Sequence, residues 1–200
     1  MLITIDSVIG APVVSLRTSQ PLGVITEPII NPYTLKVVAF YVDGPMVQYD
    51  PAVIFTEDIR ALDRRGVLID SAENIMSPVD MVRLNEVIAY DFHLVKLLVV
   101  DNHKQKLGHV GTYIVDSHSF NIMQIVVQPR FWKSLSVTEL TISRNQIIEI
   151  DDKKIVVKAP DIRLKEPAKK MPVNEKLLNP EFDNPFRKPK SRPAESAGSR

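Results

Sequence analysis

Four histidines, His93, His103, His109 and His118, cluster along the chain with three acids, Asp91, Asp101 and Asp116. Imidazole and carboxylate are the donor set of a zinc-type site, provided two or three of them converge on one point. Their spacing argues against convergence. His103 and His118 fall in different polar turns, His109 lies early in an apolar run, and no histidine pair sits at the i, i+4 spacing of a helical metal motif. They read as surface histidines. Glu57-Asp58 and Asp151-Asp152 are paired acids of the kind used for acid–base work, yet both stand where short acidic side chains bond the backbone of a turn or cap. There is no cysteine, no Gly-x-Ser-x-Gly elbow and no Gly-x-Gly-x-x-Gly phosphate loop. These residues therefore lead to no expected catalytic residue, metal, cofactor or small-molecule substrate, and to a chain that is not an enzyme.

Binding chemistry has better candidates. Arg130-Phe131-Trp132-Lys133 sets the single tryptophan between two cations, just after Pro129. Such a cluster suits stacking on bases or anchoring to a protein, although Trp132 would serve equally as a plug for an apolar core. Near the C-terminus, Asn179-Pro180-Glu181-Phe182 and Asn184-Pro185-Phe186 place Phe182 and Phe186 in an otherwise polar stretch. Apolar anchors of this type are kept by unstructured segments that dock onto partners.

The elements that would carry these residues occur twice. Gly23 in Pro21-Leu22-Gly23-Val24 and Gly108 in Lys106-Leu107-Gly108-His109 are 85 residues apart, and at that offset residues 13–42 lie over 98–127 without a gap. Residues 59–69 match 147–157 at an offset of 88. In the first copy, apolar runs at 12–16, 22–30, 35–42, 52–55, 59–62 and 66–70 are parted by Arg17-Thr18-Ser19-Gln20, Asn31-Pro32-Tyr33-Thr34, Asp43-Gly44-Pro45 and Asp63-Arg64-Arg65. In the second, the runs are 95–100, 107–115, 121–127, 136–142, 146–150 and 154–157. Many short strands at even spacing predict a small antiparallel barrel or sandwich in each copy. Gly23 and Gly108 are expected to be structural turn glycines, marking a bulge or a close backbone approach.

Between the copies, Ser77-Pro78-Val79-Asp80 offers a Ser cap, a proline at the first helical position and an acid in the first turn. Met81, Leu84 and Ile88 follow at helical spacing, which predicts an amphipathic helix packed on a sheet. Beyond Ala159-Pro160 the composition changes. Residues 161–200 carry ten Lys/Arg against six Asp/Glu with six prolines and no sustained apolar period, while the rest of the chain is net acidic by three charges. This tail is expected to be disordered. The longest apolar run near residue 100 is broken by Lys96 and falls far short of the ~20 residues a membrane span needs. A cytoplasmic protein without a membrane span is expected.

The order of strand, polar turn, Leu-Gly-x-Val/Ile, strand and Asp-Ile-Arg before a final hairpin resembles the PRC-barrel family. The residues concerned are Leu22-Gly23-Val24-Ile25, Phe55-Thr56-Glu57-Asp58-Ile59-Arg60 and 66–70, with Leu107-Gly108-His109-Val110 and 147–151 in the second copy. The second copy has Asn145-Gln146-Ile147-Ile148 where the first has Glu57-Asp58-Ile59-Arg60. The family includes the reaction-centre H subunit and the C-terminal domain of the ribosome maturation factor RimM. The resemblance implies small all-β barrels that bind macromolecules and do no chemistry. Two PRC-barrel-like copies, 1–76 and 91–160, are thus expected, joined by a linker helix at 77–90 and followed by the tail at 161–200. The function expected is that of an adaptor or scaffold gripping protein partners. A RimM-like ribosome-assembly factor touching ribosomal protein or RNA through the tail and Arg130–Lys133 is the alternative.

Overall fold

The computed structural model describes residues 1–128 and 139–158. Every apolar run of the first copy forms a strand: β2 (Pro12–Ser15), β3 (Pro21–Asn31), β4 (Lys36–Asp43), β5 (Ala52–Phe55), β6 (Ile59–Asp63) and β7 (Gly66–Ile69). The second copy repeats the set as β8 (Leu98–Asp101), β9 (Lys106–Asp116), β10 (Ile122–Gln128), β11 (Leu140–Ser143), β12 (Ile147–Ile150) and β13 (Lys154–Val157). The sheet orders are β5-β4-β3-β2-β7-β6 and β11-β10-β9-β8-β13-β12, one being the other renumbered. In both copies a 3₁₀ turn, Thr56–Asp58 or Arg144–Gln146, leads into the last hairpin.

The fold is therefore β-rich and duplicated, with one difference from a purely antiparallel arrangement. β2 pairs with β7, and β8 with β13, in parallel. The cause is the path of the chain. It leaves the first strand, runs through four others, and returns beside it travelling in the same direction. Among the described residues neither hydrogen-bonded path closes on itself, so each copy is an open sheet with β5 and β6, or β11 and β12, at its ends.

Buried positions of the strands feed one continuous apolar core that includes Phe40 from the first copy and Tyr113 and Phe120 from the second. Phe40 and Phe120 meet edge to face at 6.4 Å. A smaller cluster lies on the other face of the first sheet, where Ile29, Ala39 and Val53 receive the helix. That helix, α1 (Val82–Ala89), presents Leu84, Val87 and Ile88 to the sheet. It starts later than the capping signal at Ser77 implies. Ser77 Oγ accepts the Val79 N–H, but this caps a separate 3₁₀ turn, Pro78–Asp80, and Met81 then breaks the helical geometry.

The repeat is not gapless. Val13 pairs with Gly23 and Val14 with Pro21, whereas Val99 pairs with Gly108 and Val100 with Lys106. The strands before the first turn are thus equivalent at an offset of 86, and the turn is one residue shorter in the second copy. In each copy the register slips beside the glycine, so that Leu22 or Leu107 is the extra residue. A Cβ on Gly23 would lie 2.5 Å from the Asp43 carbonyl oxygen, and one on Gly44 would lie 2.5 Å from the Gly23 Cα. Two glycines are needed there because backbone touches backbone. Gly108 has φ +152°, a region that side chains disfavour.

Besides the shared core, backbone pairing binds the copies together at two places. The β3–β4 and β9–β10 turns meet through an antiparallel bridge between Lys36 and Asn121. In addition β1 (Leu2–Thr4), which precedes the first copy, pairs not with its own sheet but with β9, Ile3 lying opposite Val115. The place in the second copy that would correspond to β1 is taken by the end of α1. The two sheets belong to a single compact unit, Met1–Asp161.

Candidate functional site

Among the described residues, His93 is the histidine whose side chain bonds to carboxylates. After α1, Asp91 adopts a left-handed backbone, φ +46°, and turns the chain toward β3. His93 Nδ1 then lies 3.1 Å from Glu27 Oε1, and Nε2 lies 3.1 Å from Asp91 Oδ1. An imidazolium donates to both acids at once, whereas a neutral ring donates to one only. The pair of acids grips opposite edges of the ring, so their lone pairs point at His93 and not at a common vacant point. Among the described residues no three His, Asp or Glu side chains converge in the manner of a metal site. All three groups are at least half exposed, so the clasp orients the loop more than it stabilises the fold.

Two clefts flank this clasp. One, of about 260 Å³, is walled by Glu27, Tyr41, Val87, Ile88 and Asp91. Tyr41 lies opposite Glu27 on β4, and its phenol is raised by burial and then by the Glu27 and Asp91 charges. The other, of about 270 Å³, draws on both copies. Asp6 and Ile9 come from the first turn of the chain, Thr26, Glu27, Pro28 and Ile30 from β3, Phe92–Val95 from the segment after α1, and Tyr113 from β9. Tyr113 is 1% exposed, and its hydroxyl has no hydrogen-bond partner among the described residues. A buried polar atom normally finds a partner, and one left without it costs about 1–3 kcal/mol. Burial raises this phenol far above the ordinary tyrosine value, and the carboxylates of Asp6 and Glu27 push it the same way.

The remaining sequence candidates go to turns. The His103 N–H donates to Asp101 Oδ1 at 2.9 Å and the His118 N–H to Asp116 Oδ1 at 2.9 Å, and both imidazoles, like that of His109, are on the surface. Asp151 accepts the N–H groups of Lys153 and Lys154, which holds its carboxyl below the usual range. Glu57 and Asp58 occupy the first turn of a 3₁₀ helix. Arg130, Phe131, Trp132, Lys133, Phe182 and Phe186 lie outside the described residues.

Sequence reasoning missed Asp6, Glu27, Tyr113 and Arg144. Glu27 and Asp6 are single acids in unremarkable contexts, and nothing local says that they meet residues 92–95. Arg144 reaches across the copies, with Nη1 2.9 Å from the Leu35 carbonyl and 3.3 Å from that of Ile122, and Nη2 2.5 Å from that of Thr34. Its counterpart in the first copy is Thr56, whose hydroxyl stays at home on the Val38 carbonyl. An exposed aromatic pair completes the surface, Tyr33 and Tyr90 meeting edge-on at 5.4 Å. No helix among the described residues is long and apolar enough to cross a membrane. No protein-family model matches the chain, and no curated protein matches it significantly.

Proposed function

We propose that this chain is a non-catalytic adaptor, built from two PRC-barrel-like copies and binding other macromolecules through its sheets and its C-terminal Phe182 and Phe186. The observation that carries the reading is the backbone bridge between the two β-turns. It fixes two equivalent sheets in one body, with β6 and β12 at matching ends of the two strand paths. A terminal strand offers unpaired backbone groups to which an extended peptide adds as a further strand. Two such surfaces on a rigid frame, supplemented by a tail motif, gain from effective concentration what each lacks alone. Tyr33 and Tyr90, 78% and 50% exposed, supply the rigid aromatic area typical of contact surfaces.

The test is quantitative crosslinking of the full chain in cell extract, beside Phe182→Ala/Phe186→Ala and Arg130→Ala/Trp132→Ala double variants. The adaptor reading expects one reproducible set of protein partners, reduced at least severalfold by the tail variant. Recovery of ribosomal particles that wash away steeply with salt would replace it with a ribosome-assembly role. Equal recovery by all three proteins would remove the tail and the Arg130–Lys133 cluster from the mechanism.

A further inference from the structure

We propose that His93 is a proton-operated fastener. While its ring carries a proton it clasps Glu27 and Asp91 and holds Phe92 and His93 as a partition between the two clefts. When the proton leaves, the partition loosens and the clefts join along β3. The inference stands apart from the adaptor reading and does not depend on it.

Three observations carry it. The first is what holds the segment. Among the described residues Phe92 and His93 make no backbone hydrogen bond, so the two ring bonds, each 3.1 Å, are the polar ties of this stretch. Its ends are fixed by other means. The Asp91 N–H donates to the Ile88 carbonyl at 2.9 Å and the Lys96 N–H to that of Val110 at 2.8 Å, while Leu94 is 1% exposed in the core. Phe92 is only partly buried against that core, and Asp91, with its left-handed backbone, is the point about which the two residues turn. The second is the place of the partition. Both clefts are lined by Glu27, Pro28, Ile30, Phe92 and His93. At about 260 and 270 Å³, each alone lies under the ~300–1,000 Å³ of sites for drug-sized ligands, and joined they fall within it. The third is charge. Glu27 from β3 and Asp91 from its own segment face the ring. Tyr41 from β4, Asp6 from the first turn and Tyr113 from β9 line the same clefts, whereas α1 contributes Val87 and Ile88 without a charge. No Lys or Arg lines either cleft. Both phenols are raised above the ordinary tyrosine value, so neither ionises near neutrality. Histidine is the side chain whose charge ordinarily changes between about pH 5 and 8, and this ring, 59% exposed, exchanges its proton directly with solvent. Protonated, it donates from both nitrogens. Neutral, it turns a lone pair on one of them toward a carboxylate 3.1 Å away. The clasp is therefore complete on the acid side of the ring's titration and is lost as pH rises through it.

The experiment is an NMR titration of the full-length protein from about pH 5 to about pH 9, a span that brackets the ordinary histidine range. It records heteronuclear NOE values for the Phe92 and His93 amides, the His93 ring protons, and the methyl signals of Ile88 and Ile9, one from each cleft. At the acid end the two amides should be as ordered as that of Leu94. At the alkaline end they should be clearly less ordered, with both methyl signals moving in step with the His93 ring. His93→Gln, which cannot carry the charge, should show the looser segment at every pH. Glu27→Gln and Asp91→Asn should each reduce the pH response severalfold, and added salt should reduce it as well. His118→Gln, on the surface of another turn, should leave it as it is. The proposal is overturned if Phe92 and His93 are equally ordered at both ends of the titration, if folded His93→Gln protein keeps the parent's pH response, or if the two methyl signals titrate apart from the His93 ring.

Discussion

Leu35 and Phe120, equivalent residues of the two copies, accept each other's neighbours: the Ile122 N–H donates to the Leu35 carbonyl at 2.9 Å and the Val37 N–H to the Phe120 carbonyl at 2.9 Å. Both have left-handed backbones, φ +47° and +57°, and both side chains are buried. Bulky residues rarely take that conformation, and they persist in it where surrounding contacts over-determine it. Here the reciprocal bonds and the shared core supply that constraint. The two turns act as a single joint that neither copy makes alone.

Arg144 is the clamp on this joint, and Arg144→Ala should lower stability by about 1.5–3 kcal/mol, the usual worth of hydrogen bonding that involves a charged group. Arg144→Lys should recover only part of it, because an ammonium cannot fork between the Leu35, Ile122 and Thr34 carbonyls. Urea unfolding midpoints of the three proteins decide this, and equal midpoints would show that Arg144 bears no load.

Glycine positions should separate by what their missing Cβ would strike. Gly23→Ala drives a methyl into the rigid Asp43 carbonyl and should cost about 1–3 kcal/mol. Gly111→Ala meets only the Gln128 side chain, which can swing away, so the change should stay within ~0.5 kcal/mol. Thermal melts of the two variants provide the comparison.

Acid should act most strongly at the β9–β10 turn of the second copy. Asp116 accepts the Ser119 and His118 N–H groups, which together with the nearby N-terminal amine hold its carboxyl down to about 2. The folded value lies below the unfolded one, near 3.9, so its contribution is full above about pH 4 and is lost as pH falls toward 2. Asp63, Asp70 and Asp151 are lowered too and add in the same direction. The first copy has Asn31 in the equivalent place, and its Oδ1 accepts the Tyr33 and Thr34 N–H groups without any charge. Asp116→Asn should therefore keep the turn and flatten the acid limb of the stability curve between pH 4 and 2. An unchanged limb would refute the assignment.

The helix should be anchored by one residue. Leu84 is 4% exposed over Ile29, Ala39 and Val53, and Leu84→Ala should cost about 2–4 kcal/mol. Val82, 75% exposed on the same helix, should tolerate alanine within ~0.5 kcal/mol. Denaturation of both variants checks the contrast.

The strands and their duplication were legible because apolar alternation and turn residues are local signals that the chain states twice. The helix was legible as a stripe, but its start was not, because Ser77 and Pro78 cap a 3₁₀ turn as readily as an α-helix. The parallel pairs β2–β7 and β8–β13 were hidden, since periodicity sets which face a strand buries and not which way its neighbour runs. The acidic cleft was hidden for a stronger reason. Asp6, Glu27, His93 and Tyr113 are brought together only by the packing of one copy on the other, and no spacing along the chain records that. Gly44 read as a strand stop, whereas its closer role is to let β4 lie against Gly23.

The pairing of β1 with the distant sheet is the contact of longest sequence separation among the described strand pairs. Leu2–Thr4 are made first, yet their partners, Ile114–Asp116, lie more than a hundred residues later. Closing a loop of that length is slow relative to local hairpins, so Ile3, 2% exposed at the end, remains uncovered while both sheets grow. The strand Leu2–Thr4 is therefore expected to dock late, after the local hairpins of both sheets have formed.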